Sequence, residues 1–100
     1  MSLRNPHVAD LRHNPGRYQD QVVSINGVVT TSWGGAFVPF TFYKVDDGTG
    51  ELTVVSQGGL RLPTRGEHVR VRGRVDEVAV VGGQTVGLHL REEALYVKRQ

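Results

Sequence analysis

One hundred residues, 38% of them hydrophobic, suffice for one folded domain and leave no room for a second core. The chain has no cysteine, which excludes disulfides, thiolate nucleophiles and thiolate metal sites. Its net charge is only +2, yet ten of its twelve cations are arginine, and Arg61, Arg65, Arg70, Arg72 and Arg74 crowd into fourteen residues.

Such a local basic stripe fits nucleic acid better than a membrane surface. A base-composition bias of the organism gives the same arginine excess, so the stripe alone does not decide. The longest apolar runs, Val78-Ala79-Val80-Val81 and Ala94-Leu95-Tyr96-Val97, are far too short to span a bilayer. No apolar stretch follows Arg4 as a secretory signal would require, and the expectation is a soluble cytoplasmic protein.

In chain order, Val8 and Leu11, with Leu3, lie at helical spacing, and Asn14-Pro15-Gly16 ends the segment. This predicts a short helix from about Pro6 to His13. Residues 1–20 then form an extension packed as a lid or plug on a domain of residues 21–100. From Asp20 onward the period becomes two. The first strand reads Val23-x-Ile25-x-Gly27-x-Val29-x-Thr31 on its inward side, with Val28 the apolar exception outside. Val69-x-Val71-x-Gly73-x-Val75 repeats the same apolar–glycine spacing. Glycine at an inward position lets a strand bend sharply, as a small closed barrel needs.

Between these two strands, Phe40–Val45 and Leu52–Val55 flank the tight turn Asp46-Asp47-Gly48-Thr49-Gly50. A second hairpin is predicted at Gly82-Gly83, between Asp76–Val81 and Gln84–Leu90. Ala94–Val97 then caps an edge or closes the barrel. The connection from Gln57 to Gly66 allows a loop or one helical turn. The fold class is all-β: a small five-stranded Greek-key barrel with a short N-terminal helix.

Three segments carry a resemblance: Val23-Ser-Ile25-Asn-Gly27-Val-Val29; Tyr43-Lys-Val45-Asp-Asp47-Gly48-Thr49-Gly50-Glu-Leu52-Thr-Val54; and Leu62-Pro63-Thr-Arg-Gly66-Glu-His-Val69-Arg-Val71-Arg-Gly73-Arg-Val75. Over about Asp20 to Glu93 the chain resembles OB-fold nucleic-acid-binding domains, closest to the anticodon-binding-like and single-strand-binding-like groups. The resemblance implies that the second and third strands, with their flanking loops, bind single-stranded DNA or RNA or other ligands. The D-x-T-G turn and Gly73-Arg74-Val75-Asp76 are also shared with bacterial periplasmic stress proteins of the same fold. Those carry a signal peptide and rank lower.

With Tyr43, Val45, Leu52 and Val54 inward, Phe42, Lys44, Thr53 and Val55 point outward. A base can stack on Phe42 while Lys44 follows the backbone; alternatively, Phe42 packs under the N-terminal helix. Trp33, Phe37 and Phe40 sit in a glycine-hinged loop from Trp33 to Phe40. That loop flanks a binding groove, meets a protein partner or a second copy, or tucks into the barrel mouth. Arg70, Arg72 and Arg74 share the outer face of one strand, either neutralised by Glu51, Asp76, Glu77, Glu92 and Glu93 or available to phosphate. Arg61 and Arg65, in the loop before that strand, are better placed to reach a ligand. The candidate nucleic-acid-binding set is therefore Trp33, Phe37, Phe40, Phe42, Lys44, Thr53, Arg61, Arg65 and Arg72.

His7, His13, His68 and His89 share no metal-ligand spacing, and His89 alternates with Leu88 and Leu90 as an outward residue. No nucleophile elbow surrounds Ser24, Ser32 or Ser56, and no phosphate loop uses Gly34-Gly35 or Gly48-x-Gly50. The sequence thus predicts a binding module without metal, cofactor or catalysis. Its rival is a structural or protein-interaction domain within a larger assembly.

Overall fold

The period-two pattern folds into a closed ring of five strands. The computed structural model describes residues 5–33, 40–57, 62–77, 79–81 and 84–98. It places β1 at Val22–Trp33, β2 at Phe40–Asp46, β3 at Glu51–Gln57 and β4 at His68–Asp76. Two short strands, β5 (Ala79–Val81) and β6 (Gln84–Val86), precede β7 (His89–Lys98). Round the barrel the order is β1-β2-β3-β7-β4, with β4 paired back onto β1. The β3–β7 pairing is parallel and the other four are antiparallel. Closure leaves these strands no free edge.

The alternate apolar positions converge inside. Val23, Ile25, Val29, Tyr43, Val45, Leu52, Val54, Val69, Val71, Val75 and Leu90 are buried in one core. The two inward glycines explain how the ring shuts. A Cβ on Gly27 would run into the Asp46 carbonyl and stand 2.7 Å from Val45 Cγ1. One on Gly73 would meet the Arg91 carbonyl and stand 2.8 Å from Leu90 Cγ. The neighbouring backbone occupies the space a side chain needs.

Two bulges break the alternation. On β1 the register steps from Val29↔Val45 to Thr31↔Lys44, leaving Thr30 as an extra residue. On β7 it steps from Gly73↔Glu92 to Arg72↔Ala94, leaving Glu93 extra. One added residue exchanges the inner and outer faces of everything beyond it. Thr31, expected inside, is therefore exposed, and Trp33 ends a strand facing out instead of opening a loop.

The N-terminal segment forms α1 (Val8–His13) and then α2 (Pro15–Tyr18). The single predicted helix is two because Pro15, expected to end it, takes the first position of a new turn, where its missing N–H costs nothing. Val8 and Leu11 are fully buried in the barrel core. The helix is moored to the β2–β3 turn: Val8 N–H donates to Asp47 Oδ2 at 2.8 Å, Ala9 N–H to Thr49 Oγ1 at 3.0 Å, and Arg12 to the Glu51 carbonyl at 2.8 Å. It plugs the barrel end beside that turn.

This mooring is pH-sensitive. Burial pushes the Asp47 carboxyl up, but the Thr49 hydroxyl and the N–H groups of Val8 and Thr49 outweigh it and hold the group below its ordinary value. A depressed pKa contributes stability above the unfolded value, which is lost as pH falls through the folded one. Asp47→Ala is expected to cost about 1 kcal/mol at neutral pH, as the loss of a helix cap does. In chemical denaturation at successive pH values, the gap to wild type should close on the acid side.

Three further expectations need correction. The second hairpin forms, β5 pairing antiparallel with β6, but its arms are shorter than the expected Asp76–Val81 and Gln84–Leu90 and stand apart from the barrel ring. Its turn at Gly82-Gly83 lies outside the described residues. The closing strand is not Ala94–Val97 but all of His89–Lys98. His89, expected outside, is 1% exposed, and its Nδ1 lies 2.8 Å from the Gly87 carbonyl.

Candidate nucleic-acid interface

The β1 bulge builds the central feature of the outer surface. Trp33 stands opposite Phe42, their ring centroids 5.5 Å apart and tilted by 46°, within the range of favourable aromatic pairing. Trp33 is 55% exposed. Register carries the row onward from Phe42 to Val55 and from Val55 to Arg91. One residue-pair further along, Thr31, Lys44 and Thr53 form a parallel polar row. The face is thus an aromatic platform with an exposed arginine at one end and a lysine beside it.

The cations here are held loosely. Lys44 Nζ lies 3.7 Å from Glu51 and Arg91 Nε 3.8 Å from Asp76. The Lys44 pair is exposed, of the kind that contributes little and exchanges partners readily, while exposed Arg91 meets a half-buried Asp76. The Glu51 carboxylate also accepts a 2.6 Å hydrogen bond from the Thr30 bulge hydroxyl. Asp76 sits below its ordinary pKa, first through the Gln19 amide and then through the Glu77 N–H and the charges of His89 and Arg91. It is therefore a fixed negative end for the Arg91 row.

Beneath the platform the barrel mouth is polar. Ser32, Thr41, Tyr43, Ser56 and Glu92 face inward at the Trp33 end. The Tyr43 hydroxyl donates to Glu92, and the Ser56 hydroxyl donates to Glu92 Oε2 at 2.8 Å. Burial first, then the Glu92 hydrogen bond and charge, drive the Tyr43 phenol far above its ordinary pKa. It stays protonated and serves as a donor that fixes the mouth.

The candidate residues divide by position. Trp33, Phe42, Lys44 and Thr53 come together on β1–β2–β3. The backbone of Phe40 opens β2 opposite Gln57, but its side chain, with Phe37 and Arg61, lies outside the described residues. Arg65 is exposed in a turn whose Gly66 N–H bonds to the Val29 carbonyl at 2.8 Å, and the Ser32 hydroxyl binds the Pro63 carbonyl. This segment therefore flanks β1 just before Trp33. Arg72 is elsewhere, on β4 opposite Ser24 and Ala94, and β4 touches neither β2 nor β3 in the ring. Val55 points outward as expected, yet it is 8% exposed. Phe42 pairs with Trp33 and not with α1, which lies at the other end of β2. Sequence reasoning missed Arg91. A strand beginning at His89 would have put it on the outer face beside Val55.

No family model and no curated protein matches the sequence. Solved structures do share the fold. An OBody bound to hen egg-white lysozyme superposes with a TM-score of 0.66 at 18% identity, covering 96% of both chains. A chain of a replication protein A heterotrimer bound to ssDNA gives 0.72 at 15% identity, covering 100% of this chain and 84% of that one. Asparaginyl-tRNA synthetase from Pyrococcus horikoshii, complexed with asparaginyl-adenylate, gives 0.71 at 18% identity. This chain spans 96% of its own length in that match but only 22% of the synthetase chain. The chain has an OB fold.

Proposed function

We propose that the chain is a binding module, not an enzyme, and that it takes single-stranded DNA or RNA across β1–β2–β3 with little sequence preference. The observation that carries this reading is the Trp33–Phe42 pair, with Trp33 turned outward by a bulge to stand beside the already outward Phe42. Every base has a π-face, so an exposed aromatic platform binds single strands without reading sequence, at ~1–3 kcal/mol per stacked base. Lys44, Arg91 and Arg65 surround it with charge for the phosphates. The similar chain from a replication protein A heterotrimer, an assembly solved bound to ssDNA, supports the same use of the fold.

Titration of the protein with oligo-dT is expected to quench Trp33 emission. The affinity should fall as salt rises, by about 0.7 logarithmic units per decade of salt for each phosphate neutralised. The double variant Trp33→Ala, Phe42→Ala should bind at least about tenfold more weakly, two stacking surfaces being lost. Unchanged emission together with unchanged mobility at low salt would overturn the reading.

A second reading has its own observation. Trp33, Phe42 and Val55 form an apolar row whose adjacent lysine already has a carboxylate, as suits a protein contact, and the similar OBody was solved bound to a protein. Under that reading the same double variant alters sedimentation and leaves oligo-dT untouched.

A further inference from the structure

The two large apolar side chains that stand exposed among the described residues are Trp33 and Tyr96, at 55% and 47%. Both are outward for the same reason. The Glu93 bulge gives β7 an extra residue, so Leu95 and Val97 turn in and pack on the core while Tyr96 turns out. Without it the alternation from Leu90 and Glu92 would carry Tyr96 inside. The barrel thus uses one device twice, on two different sides.

Around Tyr96 the charge is one-sided. Arg70 is its register partner on β4, with the guanidinium carbon 4.9 Å from the ring centroid, a cation–π geometry. Next along β4 is Arg72, half-buried, its Nε covered with no hydrogen-bond acceptor. His68 and Lys98 face one another at the end of the same two strands. Among the described residues no carboxylate lies within ion-pair distance of Arg70, Arg72 or Lys98. The acids nearest in sequence are engaged elsewhere: Glu67 accepts from Thr64, and Glu93 lies 3.9 Å from Arg74, whose guanidinium also donates to the Asp20 carbonyl. Asp47 lies across β1 from this row, lining a pocket with Ser24 and Asn26, the β1 partners of Arg72 and Arg70.

We propose that the outer face of β4 and β7, centred on Arg70, Arg72 and Tyr96, is a second contact surface for the phosphodiester backbone of a single strand that also crosses Trp33 and Phe42. It rests on the reading of that platform as a strand-binding face. Outward residues of one strand recur every ~6.6–6.8 Å, so Arg70 and Arg72 present a repeat comparable to the phosphates of a stretched strand. Tyr96 offers one more ring for a base, with Arg70 already stacked on it. The turn carrying Arg65 bridges the two faces, since it flanks β1 between Ser32 and Val29 while His68 follows opposite Val28. A strand leaving Trp33 meets Arg65 and then the Arg70–Tyr96 row.

The test uses the full chain and fluorescein-labelled oligo-dT in two lengths. One fits within, and one exceeds, the roughly 4–16 nucleotides a single OB face covers. The variant Arg70→Gln, Arg72→Gln is expected to bind the long oligomer roughly tenfold more weakly at low salt. Its salt slope should flatten by about 1.4, which is about 0.7 for each of two phosphates released. Short-oligomer affinity and the Trp33 quench should hold. Tyr96→Ala should lose part of the long-oligomer gain and Tyr96→Phe should keep it. An unchanged long-oligomer affinity and slope in a double variant with native circular dichroism overturns the proposal; Arg70→Glu, at an exposed position, repeats the measurement without touching half-buried Arg72. A change in sedimentation with no change in binding also overturns it, making the face a protein contact. If Trp33→Ala, Phe42→Ala leaves binding intact while Arg70→Gln, Arg72→Gln weakens both lengths, the platform reading fails and the β4–β7 surface stands. If wild type binds neither length, both fall.

Discussion

A Gly73→Ala variant is expected to unfold at least about 10 °C below wild type, the largest loss foreseen for one added methyl group. The new Cβ would overlap the Arg91 carbonyl and crowd Leu90. Two features make that clash hard to relieve. The obstructing atom is backbone, which cannot rotate away, and it belongs to Arg91, next along β7 from Glu92, the residue that pairs with Gly73 where the Glu93 bulge shifts the register. Relief means spreading β4 from β7, and in a closed ring that displaces β1 as well. Overpacking typically costs ~1–3 kcal/mol; the upper end applies here, against the ~5–15 kcal/mol that holds a domain of this kind together. Gly27→Ala should behave alike, because the Asp46 carbonyl stands in the same relation to it. Gly16→Ala is the control. A Cβ there would meet nothing within 4 Å outside its own helix, and Gly16 lies in α2, so the variant should be neutral or slightly stabilising. Thermal melts of the three variants settle the matter. A Gly73→Ala melt that overlays Gly16→Ala would mean the ring closes without needing either glycine.

These two glycines were also the most legible part of the sequence. Val23-x-Ile25-x-Gly27 and Val69-x-Val71-x-Gly73 state both the inward face and the points where it must be empty, because sterics there are local and periodic. Tyr43, Val45, Leu52 and Val54 were legible on the same ground. What escaped were departures by one residue. Thr30 and Glu93 look like ordinary polar strand residues, and nothing in their chemistry announces a bulge; register is a property of two strands together. The consequences were large: Thr31 moved out, Trp33 joined a strand, and Tyr96 turned out while Leu95 and Val97 turned in. His89 escaped for a similar reason. Alternation put it on the outer side, where it does stand in register with Thr53 and Asp76; being outward on a strand and being exposed are different things when other parts of the chain cover that side. The platform was half legible, since the residue types of Trp33, Phe42 and Lys44 pointed to stacking. Their pairing, and the arrival of Arg91 beside Val55, depend on the parallel β3–β7 contact that only the closed topology creates.

Leu11→Ala is expected to cost ~2–5 kcal/mol while leaving oligo-dT affinity per folded molecule unchanged. Leu11 is fully buried, with Val8, at the end of the barrel beside the β2–β3 turn. α1 is only six residues long, too short to hold itself together in water. Its stability must come from those two side chains and from the bonds to Asp47, Thr49 and Glu51. Truncating Leu11 opens a cavity under the plug and removes much of the apolar area that keeps the helix in place. The binding platform should not notice. Phe42 and Asp46 are four residues apart on β2, about 13 Å at strand rise, so the plug and the Trp33 pair occupy opposite ends of the strand. Urea denaturation gives the first quantity and Trp33 quenching under native conditions the second. A Leu11→Ala protein that is folded yet binds oligo-dT several-fold more weakly would show that α1 contributes to the interface itself, and that the barrel end it closes is no mere plug.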